Sequence, residues 1–413
     1  MTKIYIAGIA MTVFGHHPDH TVDSLAGEAL QGAIRDAGCK TSDIGVAFYA
    51  GMTNGPLQGQ FAIPGQVVFS KIGIEGIPVF NVENACASGS TAVHLAVQAL
   101  KAGSADVALA VGAEKMNIAD KRRAFEIFEA GWDVSRAEAN YRNLVRLGEG
   151  VIPPEGSESE KPYSRFMSIY AALCRHHMKT YGTTQRQIAA VSAKNHQHSV
   201  HNPFSQFRKP FTVDEILAAP PITYPLTLPM CAPLSDGAAA AILCTQEGLK
   251  RIGVDKSRCI RVRASVIRSF THRRVDEPEK NIGRLAAQQA YEIAGLGPDD
   301  MHVAEVHDAA AMGEIIQAEN LGLAPLGQGG LCVERGDFTV GGRIPINPSG
   351  GLESKGHPIG ATGIGQLYEL VTQLRGEAGA RQVSGAKHAI QENGGGMQGI
   401  EEAALAVHIL TKD

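Results

Sequence analysis

Two parts of this chain alternate short apolar segments with segments of helical periodicity, and few folds accommodate that alternation. In the first part, strand patterns at 44–50, 79–83 and 107–114 alternate with helix patterns at 22–37 and 92–102. Strands that alternate with helices form crossover units on a mostly parallel sheet. We therefore expect an α/β protein whose helices cover a parallel sheet.

The same succession of segments returns near residue 260. A strand pattern at 261–268, a helix pattern at 284–294 and a strand pattern at 302–306 follow one another. A chain of 413 residues is long for a single core, so more than one domain is expected. Between the two parts, charged helices and several prolines interrupt the alternation. The sequence predicts an N-terminal half at 1–116 and 226–256, an inserted cap domain at 117–225 and a C-terminal half at 257–413.

Charge and cysteine content exclude several classes of function. A net charge of −4 gives no argument for nucleic acid or for an acidic membrane surface. The apolar segment at 3–10 is too short to cross a bilayer, so we expect a strand and no membrane span. Seven cysteines form no Cys-x-x-Cys pair, which favours a reducing cytoplasm and gives no metal-binding pattern.

Cys86 lies between an apolar strand pattern at 77–83 and a helix pattern that starts near residue 90. Its neighbours from Ala85 to Gly89 are small, so a bulky substrate can approach the sulfur. The amino end of a helix favours a thiolate, and we expect the pKa of Cys86 to lie below about 8.5. The alternative is a buried cysteine that packs as a small hydrophobe.

His357 lies in a glycine-rich loop at 347–363, just before a helix pattern that begins near Gly360. Because a proline follows it and glycines surround it, the histidine has a restricted backbone and little local packing. Such a residue suits a base that reaches across a site. The alternative is a loop histidine that is hydrogen-bonded for structure.

Four motifs together resemble the thiolase superfamily. They are the Cys86 elbow, Gly-His-Pro-Ile-Gly-Ala at 356–361, Val-His-Asp-Ala at 306–309 and Asn-Gly-Gly-Gly at 393–396, in the family's order along the chain. His307-Asp308 resembles the sterol-carrier-protein-x type, in which histidine takes the place of an asparagine. The resemblance covers essentially the whole chain. It implies a thiolase fold of two similar halves in five α-β-α-β-α layers, with Cys86 and His357 at equivalent elbows.

The resemblance also implies roles for individual residues. Cys86 matches the nucleophile that forms an acyl-enzyme, and His357 matches the base that takes its proton. His307 matches the residue that polarises a thioester oxygen with a bound water. The backbone N–H groups of Cys86 and Gly394 match the pair that holds the oxygen of the sulfur adduct.

Coenzyme A is the co-substrate that the resemblance implies, with no tightly bound cofactor. We expect the coenzyme to be contacted by Ser235, Gly356, Arg165 and Met116.

The chain departs from the family at the second catalytic cysteine. In the family this cysteine either precedes the terminal glycines or follows His-Asp. Aligning the terminal glycines places Glu392 at the first of these positions, and Ala309 occupies the second. Glu392 can exchange a proton with a carbanion if its pKa is raised from about 4.3 by roughly two or three units. The alternatives are that Glu392 forms a salt bridge while water or His307 moves the proton, or that Asn393 occupies the position.

These observations predict a thiolase-type acyltransferase that cleaves a 3-oxoacyl-CoA, or runs the reverse Claisen condensation, through an acyl-Cys86 intermediate. The missing cysteine suggests a branched, aromatic or dicarboxylic substrate, such as benzoylsuccinyl-CoA. Two alternatives remain: a synthase that passes the acyl group to another carbon acceptor, and a non-catalytic subunit or lipid-binding scaffold. By resemblance we expect a homodimer or tetramer and a small zinc-ribbon and oligonucleotide-fold partner protein.

Overall fold

The computed structural model describes residues 2–413. Its strands are β1 (Ile4–Met11), β2 (Val46–Ala50), β3 (Val79–Val82), β4 (Val107–Lys115), β5 (Pro221–Thr223), β6 (Leu226–Thr227), β7 (Asp236–Thr245), β8 (Ile260–Ser269), β9 (Val303–Glu305), β10 (His388–Gly395) and β11 (Ala404–Thr411).

The α-helices occupy both halves and the connection between them. They are α1 (Val22–Ala37), α2 (Asn54–Gln58), α3 (Pro64–Ser70), α4 (Ser88–Lys101), α5 (Lys121–Phe128), α6 (Ala137–Val145), α7 (Arg165–Tyr181), α8 (Gln185–Ser199), α9 (Val213–Ala218), α10 (Gln246–Ile252), α11 (Ile282–Ala294), α12 (Ala311–Asn320), α13 (Gly329–Glu334), α14 (Gly351–Lys355) and α15 (Ile359–Arg375).

Within the described residues, nine strands form a sheet in the order β3-β2-β4-β7-β1-β8-β11-β10-β9. In the first half, β2 is parallel to β3 and β4, and β7 is antiparallel to β4 and β1. The second half repeats this pattern, because β9 is parallel to β10 and β11 is antiparallel to β10 and β8. The halves join where Ile4, Tyr5 and Ile6 of β1 pair with β8. The internal repeat that periodicity suggested is therefore present in the strand order.

Helices cover both faces of each half-sheet. Helix α1 packs on the outer face of the first half and α11 on that of the second, while α4 and α15 lie between the halves. The two central helices are close: a Cβ on Gly89 would lie 2.7 Å from the Gly360 carbonyl oxygen and 3.3 Å from the Gly363 nitrogen. The expected five-layer arrangement is confirmed.

Strand β3, which leads into the Cys86 elbow, differs from its prediction. We expected a buried strand, but β3 lies at the edge of the sheet and Phe80 is 50% exposed. An apolar segment of this length does not reveal its neighbours in a sheet, and only the strand order places it at an edge.

The connection from β4 to β7 carries helices α5–α9 and the short β5–β6 pair. A small apolar cluster of Trp132, Leu144 and Ile169 joins it to Met397 near the end of the chain. The Met397 N–H also donates to the Gly131 carbonyl at 2.7 Å. This connection therefore packs against the glycine-rich end of β10. Within the described residues, no helix combines the length and apolar composition needed to cross a bilayer.

Candidate active site

Three side chains from separate parts of the sequence meet at one end of a cavity. Nε2 of His357 lies 3.3 Å from Sγ of Cys86, and the rings of His357 and His307 are 5.3 Å apart, edge to face. One ligand atom from each of the three residues lies within 4.8 Å of the others. The structure thus brings together the three side chains that the sequence analysis selected for acyl transfer.

The elbow at Cys86 has a constrained backbone. Ala85 has φ +48°, in the left-handed region that disfavours residues with a Cβ by roughly 1–2 kcal/mol. Turn hydrogen bonds from Ala87 N–H to Asn84 and from Ser88 N–H to Ala85 hold this conformation. Strained backbone of this kind persists where the surroundings fix it. The Cys86 side chain lies in the cavity wall.

The hydrogen bonds of His357 determine its tautomer. The Thr362 hydroxyl donates its single proton to the Pro358 carbonyl at 3.1 Å. The same hydroxyl oxygen lies 2.7 Å from Nδ1 of His357, so it accepts from an Nδ1–H. Nε2 is then the unprotonated nitrogen and faces the Cys86 thiol. Burial holds the pKa of His357 well below its usual range, so the ring is a neutral base at physiological pH.

Residues behind His357 fix its backbone. The Ser235 hydroxyl accepts from the His357 N–H at 2.9 Å and donates to Oε1 of Gln206 at 2.6 Å. At the start of α15, the Gly360 N–H donates to the Glu114 carboxylate at 3.2 Å. Glu114 also accepts from the N–H groups of Met52 and Thr53, and burial raises its pKa to about 7. These contacts connect the end of β4 to the loop that carries His357.

His307 lines the cavity and is 5% exposed. Neither ring nitrogen has a hydrogen-bond partner among the described residues. Burial lowers the pKa of His307 to about 4, so the ring is neutral and has one N–H available to a ligand oxygen. Next to it, Asp308 accepts from the Leu352 N–H at 2.8 Å and from the Asn195 amide at 3.0 Å. Asp308 therefore anchors the His307 segment to α14 and α8.

Glu392 lies on β10 behind His307 and is fully buried. Its Oε2 accepts from the His307 backbone N–H at 2.9 Å, while Oε1 has no partner among the described side chains and backbone groups. Burial and the charge of Glu402 raise the pKa of Glu392 well above its usual range. The direction of this shift meets the condition that a proton-donor role for Glu392 requires. Gly394 follows on the same strand, and the next residue packs so closely on the elbow that a Cβ on Gly395 would lie 2.6 Å from the Ala87 nitrogen.

The cavity above the three side chains has a volume of about 280 Å³ and is mostly apolar. Nine of its lining side chains are Phe, Tyr or Met, and they come from both halves and from the connection between them. They are Phe125, Phe128, Phe166, Tyr163, Tyr170, Met52, Met116, Met167 and Met397.

The four predicted coenzyme A contacts fall in different places. Met116 lies in the cavity wall. Ser235 and Gly356 lie behind His357, since a Cβ on Gly356 would be 2.8 Å from the Ser235 hydroxyl. Arg165 pairs with Glu138 at 3.2 Å and lies over the Tyr141 ring, and it is not among the cavity-lining residues. The structure does not gather these four residues into one site.

Glu402 and Tyr170 line the same cavity, and the sequence analysis did not select them. Glu402 accepts from the Gln317 amide at 2.7 Å, and burial raises its pKa. Burial, with a further effect of the Glu402 charge, raises the pKa of Tyr170 well above its usual range. Glu402 could have been found from the pairing of the last two strands. β10 and β11 pair Gly395 with Ala404, and this places Glu402, two residues before Ala404, beside the glycines.

The expectation of a low pKa for Cys86 is wrong. Burial, followed by the charges of Glu114 and Glu83, raises the pKa of this thiol to about 12. Helix α4 starts at Ser88, so Cys86 is outside its first turn. Burial in an apolar cavity, together with the buried Glu114 and the exposed Glu83, therefore outweighs the helix end. Cys86 and His357 form a neutral thiol–imidazole pair in the free enzyme.

This pair predicts an unusual alkylation profile. The rate at which iodoacetamide alkylates Cys86 should keep rising up to at least about pH 10, because the thiolate fraction grows until the pH reaches the thiol pKa. The measurement is peptide-level mass spectrometry of Cys86 at a series of pH values, with a small thiol as reference. A plateau below about pH 8 would contradict the neutral pair and indicate a thiolate–imidazolium pair.

Two neutral imidazoles and a thiol are also ligands that zinc prefers. The 3.3 Å contact and the His357 tautomer instead match a nucleophile and its base, because Nε2 is directed at the sulfur. We therefore interpret the cluster as an acyl-transfer site.

Comparisons with known proteins agree with this geometry. Residues 4–218 match the family described as "Thiolase, N-terminal domain", and residues 265–410 match "Thiolase C-terminal domain-like". Sterol carrier protein 2 of Rattus norvegicus is 37% identical over 402 residues, which cover 95% of this chain and 70% of that protein. Acetyl-CoA acetyltransferase of Methanothermobacter thermautotrophicus is 36% identical over 417 residues and all of both chains. Benzoylsuccinyl-CoA thiolase subunit BbsB of Thauera aromatica is 32% identical over 387 residues, or 92% of this chain and 91% of that one.

Proposed function

Because this chain belongs to the thiolase superfamily and is a thiolase-type acyltransferase, we propose that it cleaves a 3-oxoacyl-CoA with a bulky, apolar acyl group, by thiolysis through an acyl-Cys86 intermediate. The observation that carries the proposal is the cavity, where the Cys86–His357 pair opens onto aromatic and methionine side chains. Coenzyme A is the co-substrate. The reverse Claisen condensation uses the same groups.

In the first half-reaction, Sγ of Cys86 attacks the 3-oxo carbon while Nε2 of His357 takes the thiol proton. The backbone N–H groups of Cys86 and Gly394 hold the resulting oxyanion, a contact that typically contributes a hundredfold or more to the rate. The C2–C3 bond then breaks and its electron pair moves to C2. A neutral His307 donates to the thioester oxygen of this enolate.

The enolate takes a proton that the protonated carboxyl group of Glu392 supplies, which gives the shorter acyl-CoA and leaves the acyl group on Cys86. Before the second half-reaction, His357 returns the proton that it took from Cys86 to the Glu392 carboxylate. The neutral imidazole then removes the thiol proton of coenzyme A. The coenzyme sulfur then attacks the acyl carbon, and His357 returns the proton to Cys86 as the thioester leaves. Acyl transfer of this kind needs a base that is neutral at working pH, as the lowered pKa of His357 provides.

The cavity supports an acyl group that is apolar and ring-bearing. Its aromatic walls offer the stacked and edge contacts that rings prefer, and neither lysine nor arginine is among its lining residues. A charged acyl group would therefore lose its hydration there without an ionic partner. A benzoyl group, which a benzoylsuccinyl-CoA substrate would place on Cys86, meets this requirement, and its succinyl part would leave with coenzyme A.

The test is intact-protein mass spectrometry with a panel of linear, branched, aromatic and dicarboxylic acyl-CoA and 3-oxoacyl-CoA thioesters. We expect an adduct on Cys86 that forms fastest from aromatic thioesters and that coenzyme A discharges. Peptide mapping locates the adduct, and Phe125→Ala and Phe128→Ala should reduce the preference for rings. Absence of any adduct on Cys86 would reject the proposed acyl-Cys86 intermediate and favour a scaffold. Equal rates for aromatic and short linear groups would reject the substrate class.

We also propose that the chain acts as a homodimer or tetramer in the cytoplasm, with residues 117–225 as its cap and a small zinc-ribbon partner protein. Phe61, Ile63 and Phe80 are exposed at or near the edge strand β3, which is a surface suited to a second copy. The relative from Thauera aromatica is itself a thiolase subunit. The seven cysteines are all free, which suits a reducing compartment. Size-exclusion chromatography with light scattering tests the oligomeric state.

A further inference from the structure

Glu392 is sealed from the substrate that it must serve. It is fully buried, it is absent from the cavity lining, and its Oε2 is held by the His307 backbone N–H. Glu402 is partly exposed and lies in the cavity wall with Cys86, His307 and His357. A proton that leaves Glu392 therefore needs a group that reaches the reacting carbon.

Both carboxyl side chains approach the same point beside Gly394. A Cβ on that glycine would be 2.6 Å from Cγ of Glu402 and 3.4 Å from Oε1 of Glu392. That Oε1 atom has no hydrogen-bond partner among the described residues, and neither have the ring nitrogens of His307 in the same cavity. Unpaired buried polar atoms at this density are uncommon, and they are typical of sites that bind or react.

From this arrangement, which rests on the proposed thiolase reaction, we propose that Glu402 is a further catalytic residue that passes a proton between Glu392 and C2 of the substrate. Two carboxyl groups at close range, one buried and the other in an apolar cavity wall, cannot both carry a charge, so the pair retains at least one proton at neutral pH. Burial raises the pKa of each of them. The Gln317 amide, 2.7 Å from Glu402, fixes the orientation of the cavity-facing member.

The proton balance follows from these positions. The pair holds two protons before this step and one after it. When the C2–C3 bond breaks, the O–H bond of Glu402 breaks and a C2–H bond forms, and Glu392 then gives its proton to Glu402. His357 still holds the proton that it took from Cys86. His357 then returns this proton to the pair across the shared cavity, which leaves the imidazole free to accept the coenzyme A proton in the second half-reaction. Glu402 lines the cavity into which His357 releases this proton, whereas Glu392 lies behind His307 and does not line it.

The experiment compares Glu402→Gln, Glu392→Gln and the double variant with wild type. Three quantities are measured: acylation of Cys86 by a simple aromatic thioester, cleavage of an aromatic 3-oxoacyl-CoA, and deuterium incorporation from D₂O at C2 of the product thioester. Each single variant should keep acylation within a few-fold and lose cleavage and deuterium incorporation by about 10²-fold or more. The double variant should be no slower than either single variant, because the two groups act as a unit.

The controls separate this proposal from the thiolase assignment. Glu126→Gln, an exposed carboxylate on α5 that pairs with Arg122, should leave all three quantities unchanged. If Glu402→Gln fails to fold, Glu402→Asp provides the test. Its side chain is shorter and holds the carboxyl group farther from C2, which should slow deuterium incorporation by about 10²-fold. Deuterium incorporation at the wild-type rate in the Glu402 variants would overturn the proposed role of Glu402. An equal loss of Cys86 acylation and of deuterium incorporation would also overturn it. Only a failure of wild type to acylate Cys86 overturns the thiolase reaction.

Discussion

Replacement of Cys86 by alanine is expected to lower the rate of 3-oxoacyl-CoA cleavage by about 10⁶-fold, the loss seen when other covalent enzymes lose their nucleophile. No other thiol takes over, because Cys86 is the cysteine within hydrogen-bonding distance of the His357 base. Thioester binding should change little, since the cavity walls remain. The measurements are the cleavage rate by thioester absorbance and thioester affinity by isothermal titration calorimetry.

Two further variants make this result specific. Cys86→Ser keeps the hydrogen bond to His357 but replaces a thiol by a less acidic hydroxyl, so it should also be severely impaired. Cys39→Ala removes a buried thiol outside the cavity and should cleave at the wild-type rate. Residual cleavage by Cys86→Ala within a hundredfold of wild type would show that the acyl group is carried elsewhere.

Lys194→Met is expected to reduce the free energy of unfolding by about 3–5 kcal/mol, the usual effect of breaking a buried ion pair. Nζ of Lys194 lies 3.0 Å from Glu314 and also donates to Asn195 and to the Ile346 carbonyl, each at 2.7 Å. The Glu314 carboxylate is fully buried and close to those of Asp308 and Glu353. Without the ammonium group, this acidic cluster has no compensating cation at its centre. Urea unfolding followed by circular dichroism measures the effect.

The control lies on the same helix. Arg186 pairs with Asp214 at 2.7 Å on the surface, so Arg186→Met should change the free energy of unfolding by less than about 1 kcal/mol. Adding Glu314→Gln to Lys194→Met should restore part of the stability, because it removes the unpaired charge. A loss for Lys194→Met no larger than that for Arg186→Met would show that the network does not stabilise the fold. Because Asp308 belongs to this network, Lys194→Met should also impair His307.

Local periodicity predicted most of the secondary structure. The helix pattern at 22–37 coincides with α1, and the pattern at 107–114 with β4 apart from one residue. The edge position of β3 was not predictable in this way, because it depends on hydrogen bonds between distant segments. The motifs likewise identified Cys86, His307 and His357 as candidates, because each lies in a short segment that resembles a motif of the family.

What the motifs did not give is the electrostatics of the site. The Cys86 pKa depends on Glu114, which is distant in sequence and comes near it in the fold, where α4 packs against β4. Glu402 resembles any other charged residue of a terminal hairpin until the hairpin is folded onto the cavity. Burial of charge is a property of the tertiary structure, so a sequence pattern alone gives the wrong sign for the thiol and no role for the second carboxyl group.

The contact between α4 and α15 also limits how sequences of this kind can diverge. Cys86 precedes one helix and His357 the other, and the helices meet where Gly89 and Gly360 leave no room for a Cβ. A larger residue at Gly89 or Gly360 would push the two helices apart and separate Cys86 from His357. Substitutions that preserve activity at these positions should therefore occur together with a compensating change on the other helix. The aromatic wall is different, because Phe125, Phe128 and Tyr170 lie on α5 and α7, outside that contact. Selection can therefore alter the preferred acyl group by single substitutions while the chemistry stays the same.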